Sequence, residues 1–383
     1  MPGIIKERLF TPGPTPLLLE AQLRALTMTL HHRTDAFRAL MRETLDSLKY
    51  YFNTKNDVIV FASSGTGAME GAVSNLLSPG ERVLIGTAGK FGERWAELCK
   101  VYGISVDLIK VEWGHAGDPQ EVARRLDANP AIKAVFVQAN ETSTGVQHPV
   151  QELAQITMKR PGTILVVDAI SALGGYPLPM DEWGLDVVVA GSQKAMMLPP
   201  GMAFAALSPK AWEFVKTSKC PKYYFDFAKQ LKSQQKNQTA YTSAVTLTLG
   251  LQHVMGWIRK QGLEKIFARN RKMAAATKAA AKAMGLELFS KQNPSDVLTA
   301  IMAPAGVDGQ QVVAKMRGKG IWIAGGQAQA KGKIIRIAHM GFIDEQDLLG
   351  TIGALEIVLN DLGYKVELGT GIKAAQAILG KEA

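Results

Sequence analysis

The segment TILVVDAISALGGYPLPMDEWGLDVVVAGSQKAMMLPPG, residues 163–201, contains two short apolar runs that are each followed by polar residues. Uninterrupted apolar runs of this length are typical of strands buried on both faces of a parallel sheet. The first run ends in a carboxylate, Asp168, and the second leads into Ser192, Gln193 and Lys194. Because ligands of such sheets bind beyond the carboxyl ends of the strands, we expect these side chains to belong to one site.

Similar apolar runs occur on both sides of this segment. They alternate for the most part with helical patterns, which predicts an α/β protein with a mainly parallel seven-stranded sheet covered by helices. The last two runs are too close together for a helical crossover, so one strand of that pair is expected to run antiparallel. The seven runs are VIVFA (58–62), RVLIG (82–86), ISVDLI (104–109), AVFVQ (134–138), TILVVD (163–168), DVVVAG (186–191) and MAFAAL (202–207).

The sequence changes in character after the seventh apolar run. From about Ser243 the pattern indicates two long helices, and shorter strands that alternate with helices follow them. This order predicts a second, smaller C-terminal α/β domain that is joined through a long helix. We predict that the large domain comprises residues 16–265, and that the small domain comprises residues 266–383 together with the extended N-terminal segment 1–15.

The overall composition limits the kinds of protein that the chain can be. It has 383 residues, of which 47% are hydrophobic, and no apolar run reaches the length of about 18 residues that a membrane span needs. Residues 1–16 carry charges and prolines where a signal peptide has an apolar core, so we expect a cytoplasmic protein. Cys99 and Cys220 are too few for a disulfide framework or a zinc site.

The chain is basic, with 44 lysines and arginines against 34 acidic residues. This balance favours small anionic ligands such as phosphates and carboxylates. The lysines between Lys210 and Lys236 are scattered singly among apolar residues, and no aromatic platform accompanies them. The pattern therefore argues against nucleic acid as a partner.

Asp168 and Lys194 each have an alternative interpretation when they are considered singly. An aspartate at a strand end often caps the following turn, and a lysine at a strand end is most often a solvated surface charge. A carboxylate that ends an apolar strand is costly, however, unless it meets a cation or strong hydrogen-bond donors. We therefore expect Asp168 to have a partner within the same site.

A glycine-rich turn follows the first apolar run. The segment SSGTGAMEGAV, residues 63–73, begins with small residues where a strand turns into a helix, and amides at a helix N-terminus bind phosphate groups. The same sequence also fits a purely structural turn. The candidate phosphate-binding residues are Gly65, Thr66, Gly67 and Ala68.

A second polar turn, ANETSTGV at residues 139–146, offers the hydroxyls of Ser143 and Thr144. A phosphate turn, a buried carboxylate and a strand-end lysine on one sheet are the groups that pyridoxal 5′-phosphate (PLP) requires. The phosphate of PLP needs amides and hydroxyls, its ring nitrogen needs a carboxylate, and its aldehyde reacts with a lysine amine. The combination therefore indicates PLP as the cofactor.

These segments resemble the class V aminotransferases of PLP fold type I, and most closely the alanine–glyoxylate and serine–pyruvate (or serine–glyoxylate) branch. The resemblance covers nearly the whole chain. It implies a homodimer that transfers an amino group from alanine or serine to glyoxylate or pyruvate. The segments that carry it are LFTPGPTP, ASSGTGAMEGAVSNLLSPGE, NETSTGV, VVDAISALGGYPLPMDEWGLDVVVAGSQKAMMLPPG and GKIIRIAHMG.

The resemblance also implies roles for individual residues. Lys194 matches the Schiff-base lysine that shuttles the substrate proton, and Asp168 matches the partner of the pyridinium nitrogen. Arg336, in KIIRIAHMG, matches the arginine that binds the substrate α-carboxylate. Matches to cofactor contacts are Thr66, Gly67, Phe91, Ser143, Gln193 and, from the neighbouring subunit of a dimer with shared active sites, Thr242.

Two alternatives share the fold but not this activity. Cysteine desulfurases need a nucleophilic thiol on a mobile loop, whereas Cys99 lies in a helical pattern and Cys220 precedes a proline. An accessory or scaffold subunit without turnover would have no physical need for a lysine in an apolar turn.

The sequence also departs from the family pattern. Some relatives have a histidine at the position of Ala68, so one side-chain contact is missing here. No role follows from chemistry for HHRT at residues 31–34.

Overall fold

The computed structural model describes residues 5–27 and 29–381. Its strands are β1 (Arg8–Leu9), β2 (Val58–Phe61), β3 (Arg82–Thr87), β4 (Ser105–Lys110), β5 (Ile132–Gln138), β6 (Asn140–Glu141), β7 (Val146–Gln147), β8 (Ile164–Asp168), β9 (Val187–Gly191), β10 (Ala203–Leu207), β11 (Leu298–Met302), β12 (Ile321–Trp322), β13 (Ala324–Gly325) and β14 (Ile334–Ala338). Its helices are α1 (Leu19–Thr27), α2 (Asp35–Phe52), α3 (Gly65–Leu76), α4 (Lys90–Val101), α5 (Pro119–Ala128), α6 (Val150–Met158), α7 (Met180–Trp183), α8 (Pro209–Thr217), α9 (Phe227–Gln234), α10 (Val245–Gln261), α11 (Leu263–Ala283), α12 (Gly309–Gly318), α13 (Glu345–Asp361) and α14 (Thr370–Leu379).

The central sheet has seven strands in the order β2-β10-β9-β8-β5-β3-β4. All neighbouring strands are parallel except β10, which is antiparallel to both β2 and β9. The prediction of a mainly parallel sheet with one antiparallel strand is therefore confirmed. The physical reason is the short link between β9 and β10, residues 192–202, which contains no helix that could return the chain to the opposite edge.

Helices cover both faces of this sheet. Alternate residues of each strand point to opposite faces, so Val58 and Val60 of β2 pack in one buried cluster and Ile59 and Phe61 pack in another. The first cluster includes apolar residues of α2 and α10, and the second includes residues of α3 and α4. Burial on both faces explains why the strands are continuous apolar runs in the sequence.

The C-terminal part of the chain forms a separate antiparallel sheet, in the order β11-β14-β13. Its helices α11, α13 and α14 share a third buried cluster with β14. The N-terminal strand β1 pairs in parallel with β12, so that Arg8 is opposite Ile321. The N-terminal segment thus lies on the C-terminal part of the structure, and the domain limits 16–265 and 266–383 stay a prediction.

The direction of the strands determines where a ligand site can form. Because β10 is antiparallel to both of its neighbours, β2, β8 and β9 run in the same direction. Their carboxyl ends, at Phe61, Asp168 and Gly191, therefore lie along one edge of the sheet. Within residues 5–27 and 29–381, no helix is both long and apolar enough to cross a membrane.

Candidate active site

A small cavity of about 70 Å³ lies at this edge of the sheet. The loops that follow β2, β5, β8 and β9 form its walls together with the start of α4. Chain segments that are far apart in the sequence thereby contribute to one site. The cavity brings together six of the residues singled out from the sequence, namely Gly65, Thr66, Phe91, Asp168, Gln193 and Lys194.

Lys194 lies under the N-terminal strap, residues 11–16. Its Nζ donates a hydrogen bond to the Pro12 carbonyl at 2.6 Å, and the Thr15 hydroxyl donates to the Lys194 carbonyl at 2.7 Å. A Cβ added at Gly13 would lie only 2.1 Å from Nζ, so the strap is in close contact with the amine. Burial lowers the pKa of Lys194 from 10.5 to about 8. The negative charge of Asp168 acts in the opposite direction, because it stabilises the protonated amine.

The lowered pKa has a measurable consequence for cofactor uptake. Only the neutral amine attacks an aldehyde, so we expect uptake of PLP by the cofactor-free protein to accelerate about tenfold per pH unit below pH 8. Above about pH 8 the rate should level off, because the Lys194 amine is then neutral. Stopped-flow absorbance after mixing with PLP measures this rate. A rate that still rises between pH 9 and 10.5 would show that the amine titrates like a solvated lysine.

Asp168 ends β8 and is 6% exposed. Its Oδ1 accepts a hydrogen bond from the Ile170 amide at 2.8 Å, so the turn-capping interpretation of this residue is also realised. Burial raises the pKa of Asp168 from 3.8 to about 6, and the charges of Arg94 and Lys194 oppose this rise. The second carboxylate oxygen remains available to a cationic N–H donor, which would stabilise the ionised form.

The glycine-rich turn leads directly into α3. Ser64 precedes the helix and makes no side-chain capping bond, and the first turn of α3 contains no acidic residue. Amides of a first helical turn have no acceptor within the helix, so those of Gly65 and Thr66 are available to an anion. A Cβ at Gly65 would lie 2.6 Å from Ile170 Cδ1, which explains the need for glycine here.

The last two residues of the predicted phosphate turn lie elsewhere. Gly67 and Ala68 are buried within α3 and do not line the cavity, and the Gly67 amide donates to the Ser64 carbonyl at 2.8 Å. Ser64 lines the cavity instead. The sequence contains no signal that would fix how far the helix extends toward its N-terminus, and a contact of Gly67 or Ala68 with a phosphate stays a prediction.

The turn at residues 139–146 presents different side chains from the expected ones. Ser143 is fully buried and donates its hydroxyl to Glu141 Oε1 at 2.6 Å, while Asn140 and Thr142 line the cavity. Glu141 in turn accepts the amide of Gly92 at 3.1 Å, at the start of α4. Asn140 and Thr142 thus line the cavity, whereas Glu141 and Ser143 accept hydrogen bonds from backbone amides at the start of α4.

Arg336 lies in β14 beside this turn and is 4% exposed. Its Nη1 donates to the Thr142 carbonyl at 2.8 Å, and its Nη2 and Nε donate to the Gly325 carbonyl at 2.6 and 3.0 Å. Three of the five guanidinium donors are thus engaged, and two remain for a ligand. Burial lowers the pKa of Arg336 to about 10, and the nearby Glu141 carboxylate opposes this shift.

Thr242 is not brought to the cavity of its own chain. It is exposed and lines a separate depression beside Tyr224 and Tyr241. Contacts of the HHRT segment lie in the same region, since Arg33 Nη1 donates to Gln238 Oε1 at 3.1 Å. A contact of Thr242 with a second subunit stays a prediction.

Six further residues, which the sequence did not single out, complete the lining of the cavity. Asn140 donates to the Ser171 hydroxyl at 2.9 Å, and Ser171 lies 2.7 Å from the Thr142 hydroxyl. Within the described residues, Gln193 Oε1 and Asn140 Oδ1 are buried without a hydrogen-bond partner. Such atoms indicate a missing polar ligand. The missed lining residues are Ser64, Arg94, Asn140, Thr142, Ile170 and Ser171.

The lining fits PLP in its chemistry. Phe91 and Ile170 provide apolar surface for a planar ring, and the helix N-terminus at Gly65 provides amides for a phosphate. Asp168 and Lys194 provide the carboxylate and the amine. The fold and this donor set together define a PLP-dependent enzyme of fold type I.

The chain belongs to the aminotransferase class-V family, whose sequence pattern matches residues 20–344. It is 41% identical to the "Soluble hydrogenase 42 kDa subunit" of Anabaena cylindrica, over 97% of this chain and 98% of that one. It is 35% identical to the serine–glyoxylate aminotransferase of Arabidopsis thaliana, over 99% and 96% of the two chains. The crystal structure of ureidoglycine–glyoxylate aminotransferase from Bacillus subtilis matches with a TM-score of 0.93 and 29% identity, over 99% of both chains.

These comparisons confirm several predictions made from the sequence. The protein is a class V aminotransferase with the fold of the PLP-dependent type I enzymes, and PLP is its cofactor. Its substrates are accordingly an amino acid and a 2-oxo acid. The individual substrates and the roles of individual residues are not determined by this membership.

Proposed function

We propose that the protein transfers an amino group from alanine or serine to glyoxylate or pyruvate, with the cofactor held on Lys194. The observation that carries the proposal is the convergence of Lys194 and Asp168 in one cavity that adjoins Arg336. Relatives named serine–glyoxylate and ureidoglycine–glyoxylate aminotransferase support glyoxylate as the acceptor. Neutral substrate side chains are favoured by the small number of cations among the described residues that line the cavity.

The charges of the cavity argue for a substrate with one carboxylate. Among the described residues that line it, the cationic side chains are Arg94 and Lys194. Lys194 is committed to the cofactor, and Arg94 lies at the phosphate turn, where it contacts Thr66. Arg336 is left for the α-carboxylate, and the described lining of the cavity offers no further cation for a second acidic group. A neutral donor such as alanine or serine satisfies this arrangement.

Bound PLP supplies an electron-deficient ring that delocalises the electron pair left when the substrate Cα–H bond breaks. Lys194 Nζ, whose lowered pKa makes it a base near neutral pH, takes this proton and later returns one. Asp168 keeps the ring nitrogen protonated. Arg336 orients the substrate by its carboxylate, and the strap over Lys194 excludes water from the amine.

The experiment that tests this proposal is a matrix of amino donors against glyoxylate and pyruvate, with kcat/KM for each pair. Alanine and serine are expected to give the highest values, and aspartate is a matched acidic control. One methylene changes discrimination by only about 1–3 kcal/mol, so a graded response among small donors is expected. If all small pairs fail while a ureido or phosphorylated amino acid reacts, the proposed substrates are wrong.

Replacement of Arg336 by lysine is expected to raise KM for the amino donor by about 100-fold and to leave PLP affinity nearly unchanged. An ammonium group cannot reproduce both the contacts to the Thr142 and Gly325 carbonyls and a forked contact to a carboxylate. Steady-state kinetics and a PLP titration measure the two quantities. If the variant binds PLP and the amino donor more weakly by the same factor, Arg336 does not bind the substrate carboxylate specifically.

A second candidate function is that of an accessory subunit without turnover, which the name of the Anabaena relative as a hydrogenase subunit favours. It predicts a colourless protein that does not take up PLP. The aminotransferase proposal predicts visible absorbance after incubation with PLP, and borohydride should then fix the cofactor on Lys194. Desulfuration is disfavoured, because Cys99 is fully buried and its burial raises the thiol pKa to about 12.

We further propose a homodimer in which Thr242 contributes to the neighbouring active site. Thr242 is exposed and does not line the cavity of its own chain, so its side chain is free to contribute to the site of a partner. Leu19 and Leu26, seven residues apart on one face of α1, are 59% and 81% exposed, and a second subunit would cover them. Light scattering should give twice the chain mass of 41.4 kDa.

A further inference from the structure

Arg94 projects from α4 into the same cavity one helical turn after Phe91. Its guanidinium carbon lies 4.9 Å from the centroid of the Phe91 ring, a distance typical of cation–π stacking. Its Nη1 donates to Thr66 Oγ1 at 3.3 Å, in the first turn of α3. The stacking and the hydrogen bond together hold the guanidinium beside the phosphate turn.

Among the residues that the structure describes, no carboxylate forms a salt bridge with Arg94, although its charge interacts with that of Asp168. Its neighbour Lys90 pairs with Glu93 at 2.5 Å, whereas the contacts of Arg94 are those to Phe91 and Thr66. Its charge nevertheless reaches the centre of the site: burial raises the pKa of Asp168 and lowers that of Lys194, and Arg94 opposes the first shift and adds to the second. A cation that is held in place without an anionic partner, in a cavity with unsatisfied polar atoms, indicates an anionic ligand.

The cofactor phosphate is the anion that this position fits. A phosphate monoester carries a charge of about −1.5 to −2 at pH 7, whereas a helix N-terminus offers only about half a positive charge. Lys194 does not supply the difference, because its amine is consumed in bonding to the cofactor aldehyde. Arg94 is therefore the remaining cation among the described residues that line the cavity.

We propose that Arg94 is a cofactor-binding residue that neutralises the PLP phosphate together with the amides of α3, with Phe91 holding its guanidinium in position. The inference concerns the cofactor and does not depend on which amino acid is the substrate. It also gives Phe91 a second role, since the ring that offers apolar surface to the cofactor also orients the arginine. Substrate-free binding measurements therefore test it independently of the proposed activity.

The test compares two ligands, PLP and pyridoxal, which differ only in the phosphate group. For Arg94→Gln we expect the dissociation constant of PLP for the cofactor-free protein to rise about 10- to 100-fold, as for loss of a charge-assisted contact. Pyridoxal should bind to the variant nearly as tightly as it binds to the unchanged protein. Inorganic phosphate, which should slow PLP uptake by the unchanged protein, should have little effect on the variant. Fluorescence and absorbance titrations measure all three.

Two further variants make the result decisive. Arg94→Lys keeps the positive charge but lacks the planar, two-donor geometry of the guanidinium group. It should bind PLP more tightly than Arg94→Gln and less tightly than the unchanged protein. Arg317→Gln is a matched control, because Arg317 stacks on Trp322 at 5.7 Å outside the cavity, and it should leave PLP binding unchanged. Equal losses of PLP and pyridoxal affinity would assign Arg94 to packing and overturn the proposal. Unchanged PLP affinity in Arg94→Gln, or a change confined to KM for the amino donor, would overturn it as well.

Discussion

Replacement of Lys194 by alanine is expected to lower kcat for transamination by at least about 10⁴-fold. On the proposed roles of Lys194, the variant would lack both the amine that bonds to the cofactor aldehyde and the base that moves the substrate proton, so two successive steps would be impaired. No neighbouring amine lining the cavity within the described residues can replace Lys194, because the other cation there is an arginine. The assay is the conversion of alanine or serine in the presence of glyoxylate.

The fold of this variant should be preserved. Lys194 Nζ makes one hydrogen bond, to the Pro12 carbonyl, and its removal relieves the burial of an amine. Lys216→Ala, which changes an exposed lysine paired with Glu213, is the matched control and should retain activity. A small primary amine added to the Lys194→Ala assay should restore part of the proton transfer. A variant with undiminished turnover would contradict the assignment of Lys194.

Replacement of Asp168 by asparagine is expected to lower kcat by about 10³-fold, comparable to the loss of one electrostatic contact that stabilises a transition state. Asparagine can still accept the Ile170 amide, so the turn after β8 is retained while the negative charge is lost. Without that charge, position 168 would no longer stabilise a proton on the cofactor ring nitrogen, and the ring would withdraw electrons less strongly. Steady-state kinetics with saturating PLP separates this effect from weaker cofactor binding.

A chemical rescue distinguishes this role from a structural one. A PLP analogue that is methylated on the ring nitrogen carries its positive charge without a carboxylate, so it should recover part of the activity of Asp168→Asn. The same analogue should give no advantage to the unchanged protein. If Asp168→Asn remains as active as the unchanged protein, or if its loss is explained by unfolding in a thermal melt, the carboxylate is not the partner of the ring nitrogen.

Most of the architecture could be predicted because burial on both faces of a sheet leaves a simple pattern in the sequence. All seven strands of the central sheet lie at or within a few residues of the predicted apolar runs. Since the alternation of strands and helices restricts the direction of each strand, the edge that carries Asp168 and Lys194 also followed from the sequence. These are consequences of local patterns and connection lengths.

The finer composition of the site could not be predicted in the same way. Whether Thr142 or Ser143 lines the cavity depends on the conformation of the turn that follows the two-residue strand β6, and no periodic pattern in the sequence specifies that conformation. Arg94 looked like any other helical arginine, because its contact with Thr66 joins residues 28 positions apart. The strap contact from Pro12 to Lys194 joins residues 182 positions apart.

The sequence by itself therefore determined the sheet, its single reversed strand, and the presence of an amine and a carboxylate at neighbouring strand ends. Hydrophobic periodicity and loop length are local properties, and they act on every strand in the same way. The tertiary structure alone decided which side chains line the cavity, how the strap meets Lys194, and which cation accompanies the phosphate turn. Those features depend on the packing of segments distant in the chain, and packing is set by shape and distance rather than by any pattern within one segment.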